Sequence, residues 1–205
     1  GLPRNTMIFG DMGNTYSWIL RYFQSYPEGE NFLPSGMACM GSSVAACIGG
    51  KLGNPEKPAV CICGDGDFLM TGMEVLTAVD YKLPVIWVIL KNNRLGAIHD
   101  VQELSYQGRI AASKFTEVDF VSIARSFGAE AYQVKNPDDI SPAMEKALKS
   151  TKPSVIEALI DPDEKFPLTR RSLALKDSVG LPKLMKSIST DSVKALFKML
   201  RNQEV

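Results

Sequence analysis

Two short stretches carry residue types suited to a charged ligand. In VCICGDGDFL, residues 60–69, an apolar run ends at Gly64, and Asp65 stands between two glycines at its mouth. In PVIWVILKNNRLG, residues 84–96, a second apolar run ends at Asn92 and Asn93. A carboxylate at the end of a buried strand is costly unless cations or N–H groups meet it. A helix opening beyond Gly66 would present free N–H groups that favour a phosphate. A carboxylate beside that phosphate would repel it unless a divalent cation lay between them. Asp65 is therefore a candidate hard oxygen ligand for Mg²⁺ bridging to a diphosphate. Asn92 follows 27 positions later, a spacing that a strand, a helix and a second strand can fill, bringing the two strand ends side by side. Its amide oxygen could share the cation, and the backbone carbonyl of Arg94 could complete the protein's share. The blander alternatives are a helix cap at Asp65 and an ordinary turn at the two asparagines.

These residues need a frame, and the chain supplies one. Strand-like runs at 7–10, 59–63, 84–91, 131–134 and 154–159 alternate with helical stretches at 16–26, 68–81, 119–127 and 137–150. The small-residue stretch ACMGSSVAACIGGKL reads as a helix able to approach a neighbour closely. PVIWVILK is apolar throughout, as a strand buried on both faces should be. Such alternation predicts an α/β fold, a doubly wound parallel sheet of about six strands with helices on both faces. In that architecture ligands collect beyond the carboxyl ends of the strands, where Asp65 and Asn92 stand.

Composition narrows the classes. The 205 residues hold 45% hydrophobic and 22% charged residues, ordinary for a globular protein. Lys plus Arg and Asp plus Glu both number 23, so no global field favours nucleic acid. No apolar run is long enough to span a membrane. Cys39, Cys47, Cys61 and Cys63 read as reduced thiols rather than a disulfide framework, with Cys61 and Cys63 expected on opposite strand faces, and they point to the cytoplasm. The neutral total conceals a basic tail: residues 165–205 contain nine Lys or Arg against three Asp or Glu. Two units are expected, a ligand-binding domain over 1–163 and a basic helical tail over 164–205. In TDSVKALFKMLRNQ, Val193, Leu196, Phe197 and Leu200 fall on one helical face. That stripe suits packing on the domain or a subunit interface, with contact at a membrane surface as the second reading. The abrupt start without an initiator Met is expected of a piece of a longer chain.

Gly-Asp-Gly, a mid-twenties spacer and Asn-Asn resemble the signature of thiamine diphosphate enzymes. The likeness runs from about Thr6 to Pro162 and is closest in character to the C-terminal cofactor domain of the acetolactate synthase and pyruvate oxidase group. It implies thiamine diphosphate and Mg²⁺ as cofactors, and Asp65, Asn92 and the Arg94 carbonyl as metal ligands. Lys91 then stands at the family's first Asn. DMGNTYSW resembles the family's first diphosphate loop and places Gly13, Asn14 and Thr15 near phosphate oxygens, with Gly64, Gly66 and Asp67 on the other side. SGMACMGSS resembles the loop that grips the aminopyrimidine, with Met40 beneath the bent cofactor and Ala38 where the family often has Gly.

The same resemblance implies an enzyme acting on a 2-keto acid such as pyruvate, by decarboxylation then carboligation. The family activates its cofactor with a Glu from the N-terminal domain of a second subunit. No catalytic residue is therefore expected within this chain, and the chain alone is expected to be inactive. A homodimer or homotetramer is implied, or a partner subunit carrying that domain, and any FAD would sit on a domain outside this chain. Biosynthetic acetolactate synthases carry Met and Trp at the positions of Ala97 and Val101, so these two residues are expected to shape the substrate pocket. His99, the only histidine, is read as structural or superficial. Alternatives are decarboxylation with electron transfer, as in pyruvate oxidases, the small subunit of a two-gene decarboxylase, or a non-catalytic interaction domain.

Overall fold

The computed structural model describes residues 1–106 and 108–164; the amphipathic stripe expected in the tail lies outside the described residues. Six strands form one sheet: β1 (Met7–Gly10), β2 (Glu30–Phe32), β3 (Ala59–Gly64), β4 (Val85–Lys91), β5 (Glu130–Val134) and β6 (Ser154–Leu159). Every pairing is parallel and the order is β2-β1-β3-β4-β6-β5. The expected parallel sheet is therefore present. The chain leaves β1 for β2 on one side and returns to β3 on the other, so the winding reverses between β1 and β3. Open sheets of this kind hold a crevice at that point.

The helices are α1 (Asn14–Tyr22), α2 (Ser42–Gly53), α3 (Asp65–Thr71), α4 (Val75–Asp80), α5 (Gly96–Ser105), α6 (Phe120–Ser126) and α7 (Ile140–Lys149). Alternate strand residues feed two cores. Met7, Phe9, Cys61, Trp87 and Ile89 pack against residues of α2, α3, α4 and α6. Ile8, Val60, Ile86, Val88 and Ile156 pack on the other face with Ala143 and Ala147 of α7. The small-residue stretch does what its composition suggests: a methyl at Gly50 would collide with the Phe9 ring, so α2 lies directly on β1. Trp87 buries its ring in the same layer and donates its indole N–H to the Val44 carbonyl at 2.9 Å.

Four readings need correction. Cys61 and Cys63 belong to the same core cluster, because residues two apart in a strand share a face. The helix expected over 68–81 begins at Asp65 and breaks into α3, a 3₁₀ turn at Gly72–Glu74 and α4. β2 escaped notice because Glu30, Asn31 and Phe32 carry neither an apolar run nor an alternation long enough to register. α5 escaped because a glycine opens it and neither an Asp nor a Glu stands in its first turn to mark the start.

Candidate functional site

A cleft of about 280 Å³ opens at the carboxyl ends of β1, β3 and β4, at the winding reversal. Its walls include Gly13, Asn14, Thr15, Ala38, Met40, Gly64, Asp65, Gly66, Asp67, Asn92, Arg94, Gly96 and Ala97. Twelve of the thirteen residues singled out from the sequence thus converge here from four separate segments. Val101 does not: it is 52% exposed, outside the cleft lining. On α5 it stands one turn beyond Ala97, in the open.

Asp65 is 1% exposed, and backbone N–H groups surround its carboxylate. Oδ2 accepts from Asn92 N at 2.8 Å and Asn93 N at 2.6 Å, and Oδ1 accepts from Gly66 N at 2.9 Å. Burial pushes its pKa up, and those three N–H groups pull it back. The carboxylate therefore joins the end of β3 to the end of β4, one strand over, with one acceptor site on Oδ1 not taken by these N–H groups. The Gly66 N–H, expected to meet a phosphate, is engaged by Asp65 instead. Asn93 sits in the left-handed region at φ 57°, with its side-chain oxygen buried and without a protein partner. Arg94 places its carbonyl just ahead of the α5 ladder, which begins with the His99 N–H donating to Leu95 O at 2.8 Å.

Asp67 turns back, Oδ2 accepting from Gly64 N at 2.8 Å, and so closes the first turn of α3. Burial, with the nearby Asp11 carboxylate adding repulsion, raises its pKa to about 7. Asp11 is a site residue that sequence reading missed. Fully buried, it accepts from Met12 N at 2.8 Å, Gly41 N at 3.0 Å and Ser43 N at 2.9 Å. One carboxylate thus caps α2 from another segment and pins the loop carrying Ala38 and Met40 against the loop carrying Gly13. The signal was available: like Asp65, Asp11 is an acid at the mouth of an apolar strand. Ala38 adopts φ 55°, a left-handed conformation that glycine takes without cost, which accounts for a position where glycine is the easier residue. Met40 extends towards Gly66, its methyl 3.3 Å from where a Cβ there would stand.

Lys91 and His99 are both buried beside charged partners. The Lys91 ammonium lies 3.5 Å from Glu157 and 3.4 Å from Glu117. Glu157 is fully buried, and it also accepts from Phe120 N at 3.0 Å and Gln133 Nε2 at 2.7 Å. His99 is 5% exposed, with the Arg94 guanidinium 3.1 Å from its Nδ1, and that guanidinium also donates to Asp163 at 3.0 Å. His99 is thus buried, away from the surface.

Residues 11–158 match the family described as thiamine pyrophosphate enzyme, C-terminal TPP binding domain. The chain belongs to this family. It is 31% identical over 162 residues to the probable acetolactate synthase large subunit of Methanococcus aeolicus, covering 78% of this chain and 27% of that protein. Acetolactate synthase isozyme 1 large subunit of Escherichia coli is 30% identical over 178 residues, covering 86% of this chain and 32% of the relative. Sulfoacetaldehyde acetyltransferase of Alcaligenes xylosoxydans is 31% identical over 177 residues, covering 84% and 29%. The fold is shared with a thiamine diphosphate-dependent 4-hydroxybenzoylformate decarboxylase of Rhodococcus jostii, with a TM-score of 0.71 at 23% identity over 80% of this chain and 31% of that one. The chain thus spans 27% to 32% of the length of these three relatives. Among the described residues no helix is long and apolar enough to cross a membrane.

Proposed function

We propose that this chain forms the thiamine diphosphate- and Mg²⁺-binding part of an enzyme that decarboxylates a 2-keto acid such as pyruvate and joins the product to a second carbonyl compound. The observation that carries the reading is the junction of Asp65 with the end of β4. A buried carboxylate with one acceptor site left, an amide one strand away and a carbonyl ahead of α5 make a hard, all-oxygen donor set on one wall of the cleft. That set fits Mg²⁺, which takes oxygen ligands and keeps the phosphates of its partner. The residues present also fit the organic cofactor: Gly13 and Ala38 hold backbone conformations that bring main chain to the cleft, and Met40 supplies an apolar prop.

When bound, thiamine diphosphate supplies the electron sink for decarboxylation. The chain's own work is to hold and orient. Asp65, Asn92 and Arg94 anchor the metal end, the α1 start meets the diphosphate, and Ala97 borders the space left for substrate. The activating Glu comes from elsewhere in the assembled protein, so two copies, or a partner subunit, complete the site. Leu69, Met70, Met73 and Leu76, exposed along α3, the 3₁₀ turn and α4, support an assembly in which this face is covered. Kinship with acetolactate synthase large subunits favours carboligation over electron transfer.

Calorimetry on the full-length protein tests the reading. Thiamine diphosphate should bind with Mg²⁺ and be lost on chelation, and pyruvate should then yield carbon dioxide and acetolactate without an added electron acceptor. Absence of Mg²⁺-dependent binding would overturn the cofactor assignment; turnover only with a quinone acceptor would replace the carboligase reading by the oxidative one.

A further inference from the structure

Asn14 opens α1 at the end of β1, and its side chain reaches across the cleft to α5. The Asn14 Nδ2 donates to Asp100 Oδ2 at 2.8 Å, and both residues line the cleft. Asp100 is 7% exposed. Gly96 makes room for this contact: a Cβ there would stand 3.2 Å from Asn14 Nδ2 and 3.4 Å from Asn92 Nδ2. The amide nitrogens of the diphosphate-loop asparagine and the candidate metal-ligand asparagine therefore converge over the first residue of α5.

A carboxamide has one face that donates and one that accepts, and nothing intrinsic fixes which way it points. An ionised carboxylate only accepts. By sitting one turn along α5 from Gly96, Asp100 compels the Asn14 nitrogen to face α5 and leaves its second N–H for another acceptor in the cleft. We propose that Asp100 is a positioning residue that orients the Asn14 carboxamide as a diphosphate donor, and so sets the affinity for the diphosphate cofactor rather than the chemistry of the substrate. This rests on the functional reading above. It also assigns a use to an acid that neither the metal set nor the expected substrate pocket employs.

The test uses the full-length protein at saturating Mg²⁺, with dissociation constants for thiamine diphosphate and for inorganic pyrophosphate measured by calorimetry. Asp100→Asn lets the Asn14 amide turn over, and both constants should rise about tenfold, the worth of one charge-assisted hydrogen bond. Asn14→Ala should raise them by a similar factor, and the double variant should be no weaker than Asn14→Ala alone, because the two residues act through one contact. Turnover lost by Asp100→Asn should return at saturating cofactor, and its thermal midpoint without cofactor should match the parent's. Should Asp100→Asn fail to fold, Asp100→Glu, which keeps the charge and displaces it by one methylene, should give the same pattern at about threefold. Effects that multiply in the double variant, or unchanged dissociation constants, would overturn the positioning role. So would a fall in kcat at saturating cofactor, which would put Asp100 on the substrate instead. A parent protein that binds no thiamine diphosphate would overturn the functional reading and this inference with it.

Discussion

The starts of α3 and α5 line the same cleft side by side, yet they are built in opposite ways. At α3 everything is backbone and buried: Asp65 collects three main-chain N–H groups and Asp67 a fourth. At α5 the outward side chains are apolar and open, with Ile98 and Val101 about half exposed. A site for a constant ligand can be fixed by main-chain geometry, which tolerates little change. A site for a variable one is set by side chains projecting from a helix, which can be exchanged without disturbing the fold.

The sharpest way to break this division is Asp65→Ala. It should remove the proposed metal site and strand three buried N–H groups, abolishing measurable cofactor binding and lowering stability by about 3 kcal/mol; retained binding in calorimetry would show that the α3 end is not the metal end. Next in size, Asn92→Ala should weaken Mg²⁺-dependent binding about 100-fold, whereas Asn93→Ala, whose side chain stands outside the cleft lining, should cost far less. The reverse order would mean that the ligand register is shifted by one residue. At the α5 end, Ala97→Phe should raise KM for a small 2-keto acid about tenfold while the cofactor dissociation constant stays put. If cofactor affinity falls as much as KM rises, the two ends do not divide the labour.

The smallest effect concerns protonation of the α3 turn. With its pKa raised from 3.8 to about 7, Asp67 holds a proton in the folded protein that the unfolded chain gives up. Its contribution to stability is fully present below the ordinary carboxylate range and is lost as pH rises through about 7. In cofactor-free protein the thermal midpoint should therefore fall across that window, and Asp67→Asn should reduce the fall by about 5 °C. An unchanged slope in scanning calorimetry would locate the proton elsewhere.

Asp65 and Asn92 were legible because two apolar runs end on them, and an acid or amide at a strand mouth stands out against its neighbours. The parallel sheet was legible for the same reason: 84–91 is apolar on both faces, which only a covered strand tolerates. Asp11 carried the same signal and went unread, because its partners lie 30 or more residues away, on Gly41 and Ser43. α5 and β2 left faint traces, being held by neighbours more than by their own propensities.

By itself, then, the sequence determined the strand order of chemistry along the chain: which residues end apolar runs, how far apart the metal-binding candidates lie, and which helix is small enough to pack closely. Periodicity and spacing are local properties, and they survive in one dimension. Only the tertiary structure decided that Asn14 meets Asp100 across 86 positions, that Gly66 spends its N–H on Asp65, and that Val101 falls outside the cleft. Those outcomes depend on where the ends of β1, β3 and β4 come to rest, and a hydrogen bond is directional over a few tenths of an ångström. No pattern along the chain encodes distances that fine.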